Sequence, residues 1–559
     1  MEMTGADIII KLLECQGITH ICGMPGGANL PMYDALHKSS IKHVLARHEQ
    51  GAGFMAQGMA RATGKPAVCF ATSGPGATNL ITAIADAKLD SIPLVAITGQ
   101  VPLSMIGTDA FQEVDTYGLT VPITKHNFLV RSAAELLDVI PEAFKIATSG
   151  RPGPVVVDVP KDVQLQMATF DALPDMRVQK RGVKIDEGIL GEMIEMIEKA
   201  KRPLFFVGGG IVSSGASDLV CKVAERAHLP TVSTLMGLGA LPCDHPLFLG
   251  MLGMHGALYT NMALELCDLI FAVGVRFDDR ATGKVAQFCP NAKVIHIDID
   301  ESELGKIKQP VLALEADAKQ ALQMLHDRLP RIARPDWVAK VHRLKLDYPL
   351  AIPGSDDVFQ PYGVIAHVAQ ALDDTAIVTT DVGQHQMWVA QAFPFRRAGQ
   401  LLTSGGLGTM GFGVPAAMGA ALAKPGRTVV CFSGDGSFLM NVQELATLAE
   451  ENLDVKIVVM NNGYLGMVRQ QQTLFYEGRE EGSLFQAQPN PAHIARAFGV
   501  PACDLGAVDD PVGMLHEMLN APGPCVINAP IGEDEMVFPM VPPGAANKDM
   551  IVEVNCERA

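Results

Sequence analysis

Two stretches end in side chains that could do chemistry together. In "VVCFSGDGSF" an apolar run stops at a glycine turn that holds Asp435. In "VKIVVMNNG" a second apolar run stops at Asn461 and Asn462, 26 and 27 residues further on. If both runs are strands of one parallel sheet, their C-terminal ends share the edge where ligands bind. A carboxylate and an amide oxygen meeting there are suitable donors for an octahedral Mg²⁺ that also binds phosphate oxygens. Each half alone is equally an Asx turn at a strand end; the pair at this spacing is what points to a metal. A third candidate, Glu49, stands in "HVLARHEQGAGFMAQGMARATG" between a short apolar strand and a helix containing Gly51, Gly53 and Gly58. Each of those glycines costs about 0.8–1 kcal/mol against Ala, so the helix is expected to need close approach by a neighbour. Glu49 itself is either a first-turn acid favoured by the helix dipole or a working acid.

Elements able to position these groups recur along the chain. The runs "KPAVCFAT", "IPLVAITG", "GPVVVDV", "PLFFVGGG", "DLIFAVGV", "KVIHIDID", "AIVTTDVG", "RTVVCFSG" and "VKIVVMNN" alternate with helical patterns. Continuous rather than alternating apolar strands have both faces covered, as in parallel α/β sheets. Residues 163–187 and 330–361 are polar, Pro-bearing and irregular, and read as linkers. Three α/β domains are therefore expected, at 1–165, 188–330 and 360–545, within the usual size range. The first and third read as copies. Both run G-x-G, a small-residue helix, a Lys/Pro turn, V-C-F, a Gly-rich loop, a helix and an apolar strand.

Bulk properties narrow the partners. A chain of 559 residues is too long for one core, and a net charge of −17 argues against nucleic acid or an anionic membrane. An anionic substrate must then be met by local Lys, Arg or metal. The eleven cysteines form no C-x-x-C pair, which gives zinc and dithiol chemistry no support and suits a reducing cytoplasm. The N-terminus carries acids where a signal peptide would carry positive charge, and no run approaches 18 apolar residues.

"GDGSF…NN" resembles the thiamine-diphosphate motif of pyruvate-decarboxylase-like enzymes. The resemblance implies that Asp435, Asn462 and the backbone carbonyl of Tyr464 coordinate Mg²⁺. It also implies that Glu49 hydrogen-bonds N1′ of the cofactor's aminopyrimidine across a dimer interface and favours the imino tautomer. A carboxyl group in an apolar wall suits that task, because desolvation raises its pKa. The glycines beside it are then expected to pack helix on helix across the dimer. Further stretches, among them "GMPGGANLP", "SGPGATN", "GTDAFQEVD", "GRPGPVVVDVPKDV", "LGMHG", "VGVRFDDR", "VGQHQMW", "SGGLGTMGFG" and "QTLFYEGR", extend the likeness over nearly the whole chain. They identify it as similar to the catalytic subunits of acetohydroxyacid synthases, and with "VFPMVPPGAAN" most like the isozyme I type.

That family decarboxylates pyruvate on thiamine diphosphate. It then condenses the hydroxyethyl carbanion with a second pyruvate or with 2-oxobutanoate, in branched-chain amino-acid biosynthesis. The implied fold has related first and third domains that bind the pyrimidine and the diphosphate, around a Rossmann-like middle domain that binds FAD. Phe111 and Gln112 match the pair that faces the reacting centre. Lys161 and Arg280 match substrate-channel cations. Met410 matches the apolar wedge that bends the cofactor. Gly27, Val382, Gly383, Gln384, His385, Gly408, Gly434, Gly436, Ser437 and Met467 match cofactor-pocket positions. The FAD positions are Arg151, Gly208, Gly209, Gly210, Thr234, His255, Gly274, Arg276, Asp298 and Asp317, with Arg280 beside them. On its own "LFFVGGGIVSSG" is a weak dinucleotide signal, since it is not G-x-G-x-x-G. The resemblance also implies a homodimer or tetramer and a small regulatory subunit.

Rival readings are a flavin-dependent pyruvate oxidase, a non-catalytic scaffold subunit and a glyoxylate carboligase. "GTDAFQE", "RFDDR" and "QTLFYEG", with no amphipathic tail after "VPPGAAN", disfavour the oxidase. Intact Glu49, Asp435 and Asn462 disfavour the scaffold, and Glu49 the carboligase. One departure has a consequence for selectivity. Many family members carry Trp where this chain has Gln471, in "GMVRQQQTLFY". A large apolar contact that discriminates one methylene is worth about 1–3 kcal/mol. Without it, equal concentrations of pyruvate and 2-oxobutanoate should give products in a ratio below about tenfold. A larger excess of acetohydroxybutyrate in that competition would show that the selectivity survives.

Overall fold

The computed structural model describes residues 1–175 and 184–553 of the chain. Part of the expected first linker, residues 176–183, lies outside the described residues. Each long apolar run is a strand buried on both faces, and the strands form three six-stranded sheets in which every pairing is parallel. Helices cover both sides, so the protein is α/β with three sheet domains. No described helix is long and apolar enough to cross a membrane.

In the first sheet the strands lie in the order Lys42–Leu45, His20–Gly23, Ala67–Ala71, Leu94–Gln100, Val155–Pro160, His126–Leu129. In the third the order is Leu401–Leu402, Ile377–Thr380, Val429–Gly434, Val455–Asn461, Cys525–Pro530, Ala502–Asp504. Ranked by sequence, both run second, first, third, fourth, sixth, fifth, which supports a duplication. The middle sheet differs. It runs Phe248–Met251, Thr231–Ser233, Pro203–Val207, Leu269–Val273, Lys293–Asp298, Leu312–Glu315. That is the 3-2-1-4-5-6 order of a dinucleotide-binding fold, whose order reverses between Pro203–Val207 and Leu269–Val273.

The expected linkers are more structured than their composition suggests. Lys161–Leu165 is a helix, and Met167–Thr169 pairs antiparallel with Glu2–Thr4. Pro335–Asp347 is a helix whose buried Trp337 donates its indole N–H to the carbonyl of Pro203 at 2.8 Å. Polar surface residues masked a single anchoring side chain there.

The glycine-bearing helix Glu49–Thr63 packs on Gly413–Ala423 of the same chain, not across a boundary between copies as expected. A Cβ on Gly58 would overlap the carbonyl oxygen of Ala416, and one on Gly419 would overlap that of Met55. Phe54 and Phe412 meet edge to face at 5.4 Å beside this crossing. One apolar core runs through both domains, joining Ala52, Met55 and Ala56 to Ala417, Met418 and Ala420. The glycine pattern calls for close approach but carries nothing about which copy supplies the partner.

Gly58→Ala tests this contact because two effects oppose each other. Helix propensity alone favours Ala by about 1 kcal/mol. Forcing a methyl group against a backbone carbonyl costs about 1–3 kcal/mol or more. The variant should therefore unfold at a lower temperature than the wild type in differential scanning; an unchanged or higher midpoint would mean the helices are not in this contact.

Candidate active site

The strands Val429–Gly434 and Val455–Asn461 are neighbours, with Gly434 opposite Met460. Asp435 and the Asn461–Asn462 pair therefore leave the same sheet edge side by side. They open onto a cavity lined by Val382, Gly383, Gln384, His385, Met410, Gly434, Asp435, Gly436, Ser437, Asn462, Tyr464 and Met467 among others. All of these are expected from the sequence. Trp388, Met460, Leu465, Gly466, Val468 and Ile531, which wall the same space, are not.

The chemistry of this cavity suits a cation and a phosphate. Burial pushes the Asp435 carboxyl up to about 6, although backbone N–H groups of residues 435, 436 and 463 face it. Asn462 donates to Gln384 at 3.3 Å and accepts from Tyr464 N–H at 3.1 Å, so its oxygen is already turned inward over the loop. His385 is buried and held neutral, its pKa lowered to about 3 by desolvation. Its Nε2 has no hydrogen-bond partner among the described residues. A Cβ on Gly383 or Gly434 would press on that ring at 3.0 Å. An unpartnered buried nitrogen beside glycines, opposite an acid and an amide, fits a metal-bound diphosphate.

A buried carboxylate positions the cavity's mouth. Asp381 accepts from Val382 N–H at 3.0 Å, Gly411 N–H at 2.8 Å and Gly413 N–H at 3.2 Å. It thereby fixes the backbone that follows Met410 and ties it to the Val382 segment. The preceding loop is gripped from the first domain. Asp90 accepts from Gly405 N–H at 3.0 Å and Gly406 N–H at 2.7 Å, and Asp86 accepts from the hydroxyls of Ser404 and Thr409. Arg61 neutralises this acid pair, reaching Asp90 at 2.8 Å and Asp86 at 3.3 Å.

Glu49 opens its helix, with His48 as the N-cap accepting from Gln50 N–H at 3.1 Å. The carboxyl is buried. Its Oε2 accepts from Asn79 at 2.9 Å, while Oε1 takes no hydrogen bond from the described residues. Gly76 lies beside it, where a Cβ would come within 3.3 Å of Oε1. The turn before it is held by Glu444 of the third domain, whose carboxylate accepts from Arg47 N–H and His48 N–H at 3.0 Å each. Gly51 leaves room for that side chain, since a Cβ there would overlap Glu444. Burial raises Glu444 to about 7. The only signal of Glu444 in the sequence is an acid inside the apolar helix "ELATLAEE".

Other expected residues lie elsewhere. None of the residues lining the cavity precedes Val382, so Glu49 is outside it. Phe111 is 87% exposed and Gln112 follows it in the left-handed region at φ 58°. Lys161 is half-buried, Gln471 and Gly27 are exposed, and Gly408 stands outside the cavity lining on the loop that leads to Met410. In the middle domain Gly208–Gly210 and Gly274 flank the point where the strand order reverses, and a Cβ on Gly210 would meet Gly274 Cα at 2.6 Å. Asp298 and Asp317 leave the same edge on the next strands; burial raises Asp298 to about 6, and Asp317 caps a helix through Gln320 N–H. Arg151 is engaged by Glu303 at 2.7 Å and Asp300 at 3.2 Å, and Arg276 by Leu89 O at 3.0 Å. His255 contacts Pro539 O at 3.1 Å, Thr234 starts the turn after Thr231–Ser233, and Arg280 is exposed beside Asp279 at 3.8 Å.

Comparison with known proteins adds the following. Residues 3–119 match the thiamine pyrophosphate enzyme N-terminal TPP binding domain, 190–325 the central domain, and 381–529 the C-terminal TPP binding domain. The chain is 56% identical over 553 residues to the Escherichia coli acetolactate synthase isozyme 1 large subunit, covering 99% of this chain and 98% of that one. It is 46% identical over 556 residues to the isozyme 2 large subunit of the same organism, covering 99% and 100%. Against the chloroplastic acetolactate synthase 2 of Nicotiana tabacum the identity is 46%, over 98% of this chain and 85% of the relative.

The buried Glu444 makes a signed prediction. Its folded pKa of about 7 lies above the ordinary carboxyl value of 4.5. Its contribution is therefore fully present below that ordinary value and lost as pH rises through 7. Gln in its place stays neutral and loses nothing. The unfolding midpoint of Glu444→Gln relative to wild type should rise between pH 5 and about 8; a flat or falling difference would refute the assignment.

Proposed function

The chain belongs to the acetolactate synthase family as a catalytic large subunit, and we propose from that premise that its reacting centre is assembled between two copies. It is a thiamine-diphosphate-dependent carboligase that joins the two-carbon unit left by decarboxylation of pyruvate to a second 2-oxo acid. Its cofactors are thiamine diphosphate, Mg²⁺ and FAD. With pyruvate as acceptor the product is 2-acetolactate, and with 2-oxobutanoate it is 2-aceto-2-hydroxybutyrate. Ten described cysteines are all free, in keeping with a cytoplasmic setting. The relatives' designation as large subunits supports a separate small partner.

The work divides among segments 1–165, 188–330 and 360–545. Asp435, Asn462 and the carbonyl of Tyr464 hold Mg²⁺, and His385 Nε2 with the glycines around it takes a phosphate oxygen. When bound, thiamine diphosphate supplies the acidic carbon that adds to pyruvate and accepts the electron pair released with CO₂. Met410, locked by Asp381 and the Asp86–Asp90 grip, shapes the cavity wall. Glu49 keeps Oε1 available to exchange a proton with the pyrimidine ring. Phe111 and Gln112 exclude water at the reacting centre, and Lys161 with Arg280 meets substrate carboxylates. Gln471 stands where the acceptor is sensed. FAD is held at the order-reversal crevice by Gly208–Gly210, Gly274 and the neighbouring FAD positions.

One observation carries the shared-site reading. The cavity with the metal donors is built wholly from the third domain, while Glu49 presents a free oxygen outside it and Phe111 projects from the first domain unburied. A second copy related by two-fold symmetry would bring each to the other's cavity.

Mixing two inactive variants tests both levels. Glu49→Gln and Asp435→Asn are each expected to lose acetolactate formation from pyruvate in the presence of the three cofactors. Dissociated, mixed equally and reassociated, half of the dimers would be mixed, each with one intact site, restoring about a quarter of wild-type activity. No recovery would reject the shared site. A wild type that forms no acetolactate would reject the activity itself.

A further inference from the structure

On the outer face of the middle domain, Cys221 and Glu225 lie one turn apart on the helix Ser217–Ala227. Side chains at this spacing share a helix face. His245 reaches them from the segment before the edge strand Phe248–Met251. Cys221 Sγ is 3.7 Å from Glu225 Oε1, and His245 Nε2 is 3.3 Å from the same oxygen. All three ligand atoms lie within 4.8 Å of one another.

These separations can be set against the geometry of a bound ion. Zinc takes thiolate at about 2.3 Å and imidazole or carboxylate at about 2.0 Å, in a tetrahedron. Those bond lengths place sulfur and oxygen about 3.5 Å apart and nitrogen and oxygen about 3.3 Å apart. Two of the three pairs already stand at nearly these distances, and the sulfur and nitrogen lie within 4.8 Å of each other. A thiolate–imidazole–carboxylate set also selects a borderline-soft ion over Mg²⁺. We propose that Cys221, Glu225 and His245 form a Zn²⁺ site, completed by water and separate from the active centre.

The surroundings suit such a role. The His245 side chain is 13% exposed and that of Glu225 60%, which leaves an open side for the fourth ligand. His245 Nδ1 accepts from Leu247 N–H at 3.2 Å. Coordination through Nε2 moves the ring proton to Nδ1 and gives up that contact in exchange for a metal bond. The same segment touches the third domain, with Cys243 N–H donating to Phe395 O at 3.0 Å and Asp244 pairing with Arg396 at 3.3 Å. Zinc would thus clip the helix to the segment of the middle domain that touches the third, and bound ion would stabilise the fold by mass action.

Protein freed of divalent ions and resupplied with excess Mg²⁺, which occupies oxygen-donor sites, is to be titrated with Co²⁺. One equivalent should develop thiolate-to-cobalt charge-transfer absorption that Zn²⁺ then abolishes. Cys221→Ser and His245→Ala, with unchanged circular dichroism, should each lose this absorption. Zn²⁺ should raise the unfolding midpoint of the wild type and of neither variant. Absence of the charge-transfer band, or its persistence in Cys221→Ser, would overturn the proposal.

Discussion

The placement of both candidate half-sites depends on how closely two helices of one chain can approach. Gly58 lies on the backbone of Ala416 and Gly419 on that of Met55, with no side chain between them. This reciprocal contact sets the first sheet against the third, and both sheets carry their chemistry on an edge next to the crossing. With the helices fixed, Glu444 of one domain can hold the turn before Glu49 of the other. The same seam lets Asp86 and Asp90 hold the loop before Met410.

Buried acids do most of the positioning, and they do it by accepting backbone N–H groups rather than by touching a substrate. Asp381, Glu444 and Asp90 each collect two or more such donors from a loop. A carboxylate is well suited to this, because charge-assisted bonds are short and strong and one group can serve several donors. Desolvation lifts Asp381 to about 6 and Glu444 to about 7, so the loops are tied by groups that burial alone would neutralise. Burial and the neighbouring Asp90 lift Asp86 to about 6 as well, with Arg61 working the other way.

Much of this was legible in the sequence, and the exceptions have physical causes. The long apolar runs read directly as strands, because a strand covered on both faces has no polar alternation to blur it. Of the strands that did not stand out, His126–Leu129, Phe248–Met251, Leu312–Glu315, Leu401–Leu402 and Ala502–Asp504 lie at sheet edges, whereas His20–Gly23, Thr231–Ser233 and Cys525–Pro530 lie inside their sheets. That Asp435 and the Asn461–Asn462 pair leave one sheet edge side by side was legible from spacing alone, since adjacent parallel strands bring their ends together. Glu444 and Asp381 were not, because their partners are backbone groups and backbone leaves no mark on residue type. Gly51 and Gly58 announced close packing, but whether their partner belonged to the same chain is a matter of topology.

That topology has a consequence in time. Arg47 and Glu444, which meet at the seam, stand 397 residues apart with the whole middle domain between them. At usual rates of synthesis, about 5–20 residues per second, the first domain waits roughly 20–80 s before its partner exists. Throughout that interval a helix face of glycine and alanine, cut to receive backbone, has nothing to receive. Nascent chains of this architecture therefore carry an unfilled groove until the third domain emerges.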